Sequence, residues 1–347
     1  MRNSDDARLV LGGQEFTGWT GVSIRMAIDT LADSFTLSAP YNPEDTRLVA
    51  AFEPFKYQPV KIFIGDDLYH SGRIDGIAFS LTDKGRVMSL SGRSLSGILC
   101  DCSIGDYSQI ESLTFAAIAR KLCAPFGIKI RADADTKAIE ITRPEYGQTV
   151  FDFLHSLAAP HNLLLNSSYS GELVISSGDS LMSKLVVATL AEGDPRILEI
   201  SATFDGTRRF SRYTISTQFA GEPDITGSVT DPAISLYRPI AKSSGETDND
   251  PTTTAARLAA ECIAQSLAIS VKLSGWRRPD GKLWAERQAV TLRAPSARLL
   301  KPARYIISDV SLSLDPNEGR TVSLSLTPPE VYNVGLIKAK KASPDLW

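Results

Sequence analysis

A chain of 347 residues has room for two or three domains at roughly 100–200 residues each. Its 43% hydrophobic and 22% charged content is that of an ordinary globular protein. A net charge of −3 excludes the basic excess of a nucleic-acid binder, so no sequence-specific nucleic acid is expected as a partner. No apolar run approaches the ~20 residues of a membrane helix, so no membrane insertion is expected. The start, Arg2-Asn3-Ser4-Asp5-Asp6, lacks a signal-peptide pattern. Synthesis and residence in the cytoplasm are the expectation unless an assembly carries the protein out. Four cysteines make no disulfide scaffold at this length. Cys100 and Cys102 are too close for an easy bridge, and Cys123 and Cys262 fall on apolar helix faces, so reduced core thiols are expected.

In chain order, residues 1–100 read as a first β-barrel. Val22, Ile24, Met26 and Ile28 alternate, as do Phe35 with Leu37 and Val60 with Ile62 and Ile64. Period-two patterning between Gly/Asp turns marks half-buried antiparallel strands, and closure would remove their edges. Residues 101–181 change period and read as a small α+β domain. Phe115, Ile118, Ala119, Leu122 and Cys123 share one helix face, with Ser108 and Glu111 at capping-box spacing. Val150, Phe153, Leu154 and Leu157 repeat that pattern up to Pro160. Residues 182–240 and 285–330 read as a second β-barrel. Residues 241–284 insert a helix, from about Thr252 to Ile269 with a Leu258, Cys262 and Ile263 face, followed by a tryptophan hairpin. Residues 331–347 form a C-terminal tail. The fold class is therefore mainly β with α+β: two similar antiparallel barrels, a small α+β domain and an inserted helix.

One pattern occurs twice. Ile74-Asp75-Gly76-Ile77-Ala78-Phe79-Ser80-Leu81 returns as Ile307-Ser308-Asp309-Val310-Ser311-Leu312-Ser313-Leu314. Each copy resumes after a turn, as Gly85-Arg86-Val87-Met88-Ser89-Leu90 and Gly319-Arg320-Thr321-Val322-Ser323-Leu324. The second copy holds one extra residue at the turn, where a hairpin tolerates insertion. Gln58 to Ile62 precedes the first hairpin much as Gln288 to Leu292 precedes the second. Phe35 to Ser38 matches Tyr213 to Ser216 more weakly. The modules should superpose with Ile77 on Val310, Phe79 on Leu312 and Leu81 on Leu314, all six pointing inward.

Catalytic chemistry finds little support. The three histidines, His70, His155 and His161, have no zinc-site spacing, and no cysteine pair is CxxC. Gly92-Arg93-Ser94-Leu95-Ser96 lacks the glycine that would complete a nucleophile elbow. No catalytic, cofactor-binding or metal residue is assigned, and no cofactor is expected. Trp276 to Trp284 frames a Pro279-Asp280-Gly281 tip that sets the two indoles opposite one another. They are candidate partner contacts, with a pinned hairpin as the favoured alternative. Lys338, Lys340 and Lys341 form a basic tail, frayed by default and a further candidate contact.

The stretch Leu9-Val10-Leu11-Gly12-Gly13 with Gly18-Trp19 resembles the opening of the Mu-like phage baseplate hub proteins. Gly92-Arg93-Ser94, Asp101-Cys102-Ser103, Leu122-Cys123-Ala124-Pro125-Phe126-Gly127 and Gly275-Trp276-Arg277 fit the same family. More distantly the family is similar to the T-even phage tail hub and to the hub part of type VI secretion spike proteins. The resemblance implies a virion structural protein of a contractile tail baseplate, assembled in the host cytoplasm, and no enzyme. It implies a homotrimer with pseudo-sixfold symmetry, with the tail tube protein, the trimeric central spike and other baseplate proteins as partners. The alternatives from other classes are a cell-wall hydrolase or a carbohydrate-binding module acting during tail penetration.

Overall fold

The computed structural model describes residues 5–28, 30–83, 85–134, 136, 138–161, 163–178, 180, 184–217, 225–244 and 250–332. They fall into two compact units. Unit 1 is Met1–Ser177, Ser274–Trp284 and Asp309–Val322, and unit 2 is Gly178–Leu273, Ala285–Ser308 and Ser323–Trp347. The tryptophan hairpin thus belongs to unit 1 and not to an insertion in the second β module.

In unit 1 the strands are β1 (Ala7–Leu11), β2 (Gln14–Phe16), β3 (Gly21–Ala27), β4 (Ser34–Pro40), β5 (Pro59–Ile64), β6 (Asp67–Thr82) and β7 (Gly85–Ser94). A short helix α1 (Thr46–Ala51) follows β4, capped by the Asp45 carboxylate. The strand order is β3-β4-β7-β6-β5-β1-β2, and every pair is antiparallel. Period-two alternation buries Val22, Ile24 and Met26 of β3, Phe35 and Leu37 of β4, and Met88 and Leu90 of β7.

The rest of unit 1 is the α+β part: β8 (Ile110–Thr114), α2 (Phe115–Cys123), β9 (Ile130–Ala132), β10 (Ala138–Thr142), α3 (Val150–Ala158), β11 (Leu163–Ser167) and β12 (Leu173–Ser177). Both helices bury the faces expected of them, in a core shared with Leu31, Leu99 and Ile104. The capping-box reading fails. Thr114 caps α2 by accepting from the Ala117 N–H, while Glu111 lies in β8 opposite Ile141. Pairing with β10 takes the residues before α2 into a strand. β9 pairs in parallel with β12.

Unit 2 holds β13 (Val186–Ala191), β14 (Ile197–Phe204), β15 (Arg212–Thr217), β16 (Ile225–Thr230), β17 (Pro239–Ser244), helix α4 (Pro251–Ser266), β18 (Leu267–Ser274) and β19 (Ala289–Ala294). The long strands β20 (Leu299–Asp315) and β21 (Gly319–Thr327) contribute residues to both units. The order β14-β18-β21-β20-β19 reproduces β3-β4-β7-β6-β5 strand for strand. The repeat in sequence is therefore a repeat in topology. Its weakest segment was misplaced: β4 corresponds to β18, with its alternating Leu267, Ile269, Val271 and Leu273, whereas Tyr213–Ser216 lies in β15, in a separate sheet with β16 and β17.

Two further expectations are corrected. Among the described residues no sheet closes into a barrel; the paired strands run as an open path from β14 to the three-residue β2. The repeated hairpins also differ in burial. Val310 and Leu312 are buried, because β20 from Asp309 to Leu314 pairs with β3. Phe79 and Leu81 are 47% and 75% exposed, because β5 pairs with β6 only as far as Arg73.

The inserted helix α4 starts at Pro251, with the Asp250 carboxylate accepting from the Thr253 N–H. It stops at Ser266, where the alternating run of β18 begins. Its buried face is mostly alanine (Ala255, Ala256, Ala259 and Ala260), with Cys262; Leu258 packs half-buried at the edge against Tyr213. Small residues allow the helix to lie close on its sheet. A Cβ on Gly227 of β16 would stand 2.1 Å from the Thr252 nitrogen. Gly227→Ala is therefore expected to destabilise the protein by about 2–3 kcal/mol, as overpacking against backbone does. Urea unfolding checks this, and a midpoint equal to that of the unmodified protein would refute the contact.

Candidate assembly surfaces

The tryptophan hairpin is held from inside unit 1. Trp276 and Trp284 are 0% and 2% exposed. The Trp276 indole N–H donates to two carbonyls, Ser313 at 2.9 Å and Thr321 at 3.0 Å. The Trp284 N–H donates to the Trp276 carbonyl, and the Tyr69 hydroxyl donates to the Trp284 carbonyl at 2.9 Å. Arg277 donates to the carboxylates of Asp5 and Asp67, both at 2.8 Å, and to the carbonyls of Ile64 and Gly281. The Arg320 guanidinium lies over the Trp276 ring, 5.6 Å from its centroid. Pairing across the Asp280 tip places the indoles as the spacing predicts. Their burial leaves no exposed aromatic patch at this site.

A second knot surrounds Gly92-Arg93-Ser94. A Cβ on Gly92 would lie 2.0 Å from the Arg73 carbonyl oxygen and 2.5 Å from the Phe35 ring, so only glycine fits. Arg93 bridges Asp75 at 2.6 Å and Asp101 at 2.5 Å. Hydrogen bonds from the guanidinium hold the Asp101 carboxyl below the usual carboxylate range. Ser94 is no exposed nucleophile: it is buried and its hydroxyl donates to the Leu31 carbonyl, as does that of Ser96. These contacts give physical roles to Gly92, Arg93 and Asp101, which carried part of the family resemblance.

His70 sits nearby in β6, 2% exposed, edge-on to Phe35 at 5.4 Å, with no hydrogen-bond partner at Nε2. All four cysteines are free. Burial pushes the Cys123 thiol up to about 12 and the Cys100 thiol to about 11. Among the described residues no three His, Cys, Asp or Glu side chains are grouped to hold a metal ion. Lys338, Lys340 and Lys341 lie outside the described residues.

Exposed apolar groups are the remaining candidates. Phe79 and Leu81 stand at the far half of β6, with the Phe79 ring 4.8 Å from that of Tyr41. Phe55 and Tyr57 are 88% and 56% exposed and both have positive φ, at 64° and 49°. In unit 2, Leu236 and Tyr237 are exposed on the loop before β17, and Leu198 on β14. Sequence reading missed the β6 surface because alternation alone cannot tell whether a strand is covered. The signal that could have found it is length: β5 has six residues and β6 sixteen.

The architecture is that of a phage tail protein, mainly β, with a duplicated strand arrangement. It is similar to a 43 kDa tail protein of prophage MuSo2 from Shewanella oneidensis, at 29% identity and a TM-score of 0.83, over 94% of this chain and 99% of the other. It also matches a tail protein from Neisseria meningitidis at a TM-score of 0.82 and 22% identity, covering 95% and 98% of the two chains, a likeness of fold. In sequence it is similar to baseplate hub protein gp44 of Escherichia phage Mu, 29% identical over 97% of this chain and 92% of that protein. Two family models match consecutive segments. Residues 6–94 fit the N-terminal part of Mu phage baseplate assembly protein GpP-like, and residues 96–177 fit the second domain of baseplate hub protein gp44-like. In sequence and fold the chain is thus similar to the Mu-like phage baseplate hub proteins.

Two outcomes follow from this geometry. Trp276→Ala should destabilise by about 3–5 kcal/mol. Trp276→Phe keeps most of the packing, but leaves the Ser313 and Thr321 carbonyls without the indole donor, and should cost about 1–3 kcal/mol. A Trp276→Phe variant as stable in calorimetry as the unmodified protein would deny the N–H its role. His70 gains its proton near pH 6.5 when unfolded but only near pH 4 when folded, because burial disfavours the charged ring. Between those values the unfolded chain binds more protons, so stability falls as pH falls. From pH 7 to 5 this group should cost about 2 kcal/mol. His70→Leu should flatten the pH dependence by that amount in denaturant titrations; an unaltered slope would assign the acid sensitivity elsewhere.

Proposed function

We propose that this protein is the structural hub of a contractile phage tail baseplate. It forms a homotrimeric ring with pseudo-sixfold symmetry that joins the hexameric tail tube to the trimeric central spike. The observation that carries this reading is the five-strand arrangement present twice in one chain. Three copies would offer six similar modules to a sixfold tube on one side, and true threefold symmetry to a spike on the other. Similarity to baseplate hub proteins supports the placement in the virion baseplate, and assembly in the host cytoplasm is part of the same proposal. The tube protein, the spike and neighbouring baseplate proteins are the partners on this reading. The work is done by interface burial, of at least the ~1,600 Å² of a standard interface. Among the described residues no metal-holding cluster favours the hydrolase alternative, and none of the observations above favours carbohydrate binding.

Light scattering with negative-stain imaging tests the proposal. Three copies per particle and six lobes around a central opening are expected. A monomer or dimer throughout the micromolar range, with no ring on the grid, would overturn it.

A further inference from the structure

We infer that the ring closes by strand pairing between copies, with the far half of β6 in one copy adding to the outer edge of β14 in the next. The inference rests on the trimeric reading and supplies its interface. The argument comes from a junction that the chain already makes with itself. In unit 1 the far half of β20 pairs antiparallel with β3: Val310 opposite Met26, Leu312 opposite Ile24, Leu314 opposite Val22. By the repeat, β20 corresponds to β6 and β3 to β14. Yet β6 beyond Ile74 pairs only with β7, and among the described residues β14 pairs only with β18. One junction is made in the chain, and both halves of an equivalent junction are left open.

The register is set by the structure. Tyr41 donates its N–H to the Arg86 carbonyl, and Gly275 does the same to Arg320, which aligns β4 with β18. Counting along both antiparallel ladders, Leu37 then corresponds to Val271 and Phe35 to Ile269. Val22 pairs with Leu37 and Ile200 with Val271, so Ile200 stands where Val22 does. Likewise Ala202 stands where Ile24 does, through Ile269 and Phe35. Between copies, Phe79 should face Ala202, Ser80 should face Ser201, and Leu81 should face Ile200.

Side-chain chemistry agrees. Phe79 and Leu81 continue the face of the sheet that carries Met88 and Leu90, since those pairs stand opposite or in line across β6 and β7. Beyond the Tyr41 ring beside Phe79, this apolar row is left largely open, with Leu81 75% exposed. On β14 the partly buried residues are Ile197, Ile200 and Ala202, and from Glu199 to Thr203 they alternate with exposed Glu199, Ser201 and Thr203. Edge strands that must stay solitary are blunted by charge, proline or bulges. The stretch Ile77-Ala78-Phe79-Ser80-Leu81 has no charge and no proline, and Leu198 to Thr203 has one charge, Glu199. The in-chain junction carries an ion pair, Arg25 to Asp309 at 2.6 Å, whereas the corresponding positions, Thr203 and Gly76, cannot form one. The junction between copies would thus be held by backbone bonds and apolar contact, and its heterologous character suits a closed ring.

The test is a disulfide across the register. The Ser80→Cys, Ser201→Cys double variant, oxidised, should run as covalent dimer and trimer on a non-reducing gel, while either single variant and the parent protein should not. Leu81→Asp, at a position 75% exposed in the single chain, should leave the melting temperature unchanged and weaken trimer formation at least tenfold. A parent protein that stays monomeric would sink the trimeric reading and this inference together. A parent trimer with no ladder from the double variant, and with Leu81→Asp still trimeric, would overturn the interface alone.

Discussion

The Trp276 indole N–H, shared between the carbonyls of Ser313 and Thr321, ties the tryptophan hairpin to both strands of the β20–β21 hairpin within unit 1. A buried donor without an acceptor costs about 1–3 kcal/mol, so the hairpin strands must stay where the ring can reach them. Arg277 extends the tie to Asp5 and Asp67, and Tyr69 to the Trp284 carbonyl. Through these contacts a segment some 200 residues downstream of β6 is built into the unit that holds β6. The pairing of β20 with β3 depends on the same anchorage, because Ser313 lies within the paired segment.

Duplication with unequal coverage gives the two modules different work. One copy of the long hairpin is spent inside the chain, where β3 covers it. The other keeps its apolar row in the open. A monomer meant to remain alone would bury such a row or break it with charge. Its retention fits a chain whose final partner is another molecule of the same kind.

Much of this was legible from alternation and repetition. The β5 and β19 match, the hairpin match, the faces of α2 and α3 and the pairing of the tryptophans all followed from spacing. What was lost has identifiable causes. Glu111 looked like a capping residue because sequence cannot show that β10 recruits Ile110–Thr114 into a strand. Tyr213–Ser216 looked like β4 because alternating strands resemble one another, and α4 separates β14 from the true counterpart, β18. Closure was expected because barrels manage edges, whereas the strand order here ends openly at β14 and β2. Phe79 and Leu81 read as core because period two reports a face and says nothing of its cover.

The division of unit 1 among three stretches of sequence has a consequence for how the chain is made. Residues up to Ser177 leave the ribosome well before Asp309–Val322, which complete the same unit. At the usual pace of synthesis, ~5–20 residues per second, the gap is roughly 7–30 s. Throughout it, β3 presents an unfilled edge, and the Trp276 indole, once made, still lacks the Ser313 and Thr321 carbonyls that its N–H will meet. Contacts so distant in sequence also slow folding, because the loop must be closed before it is rewarded. A nascent chain of this kind is exposed to premature pairing with its neighbours on the same message.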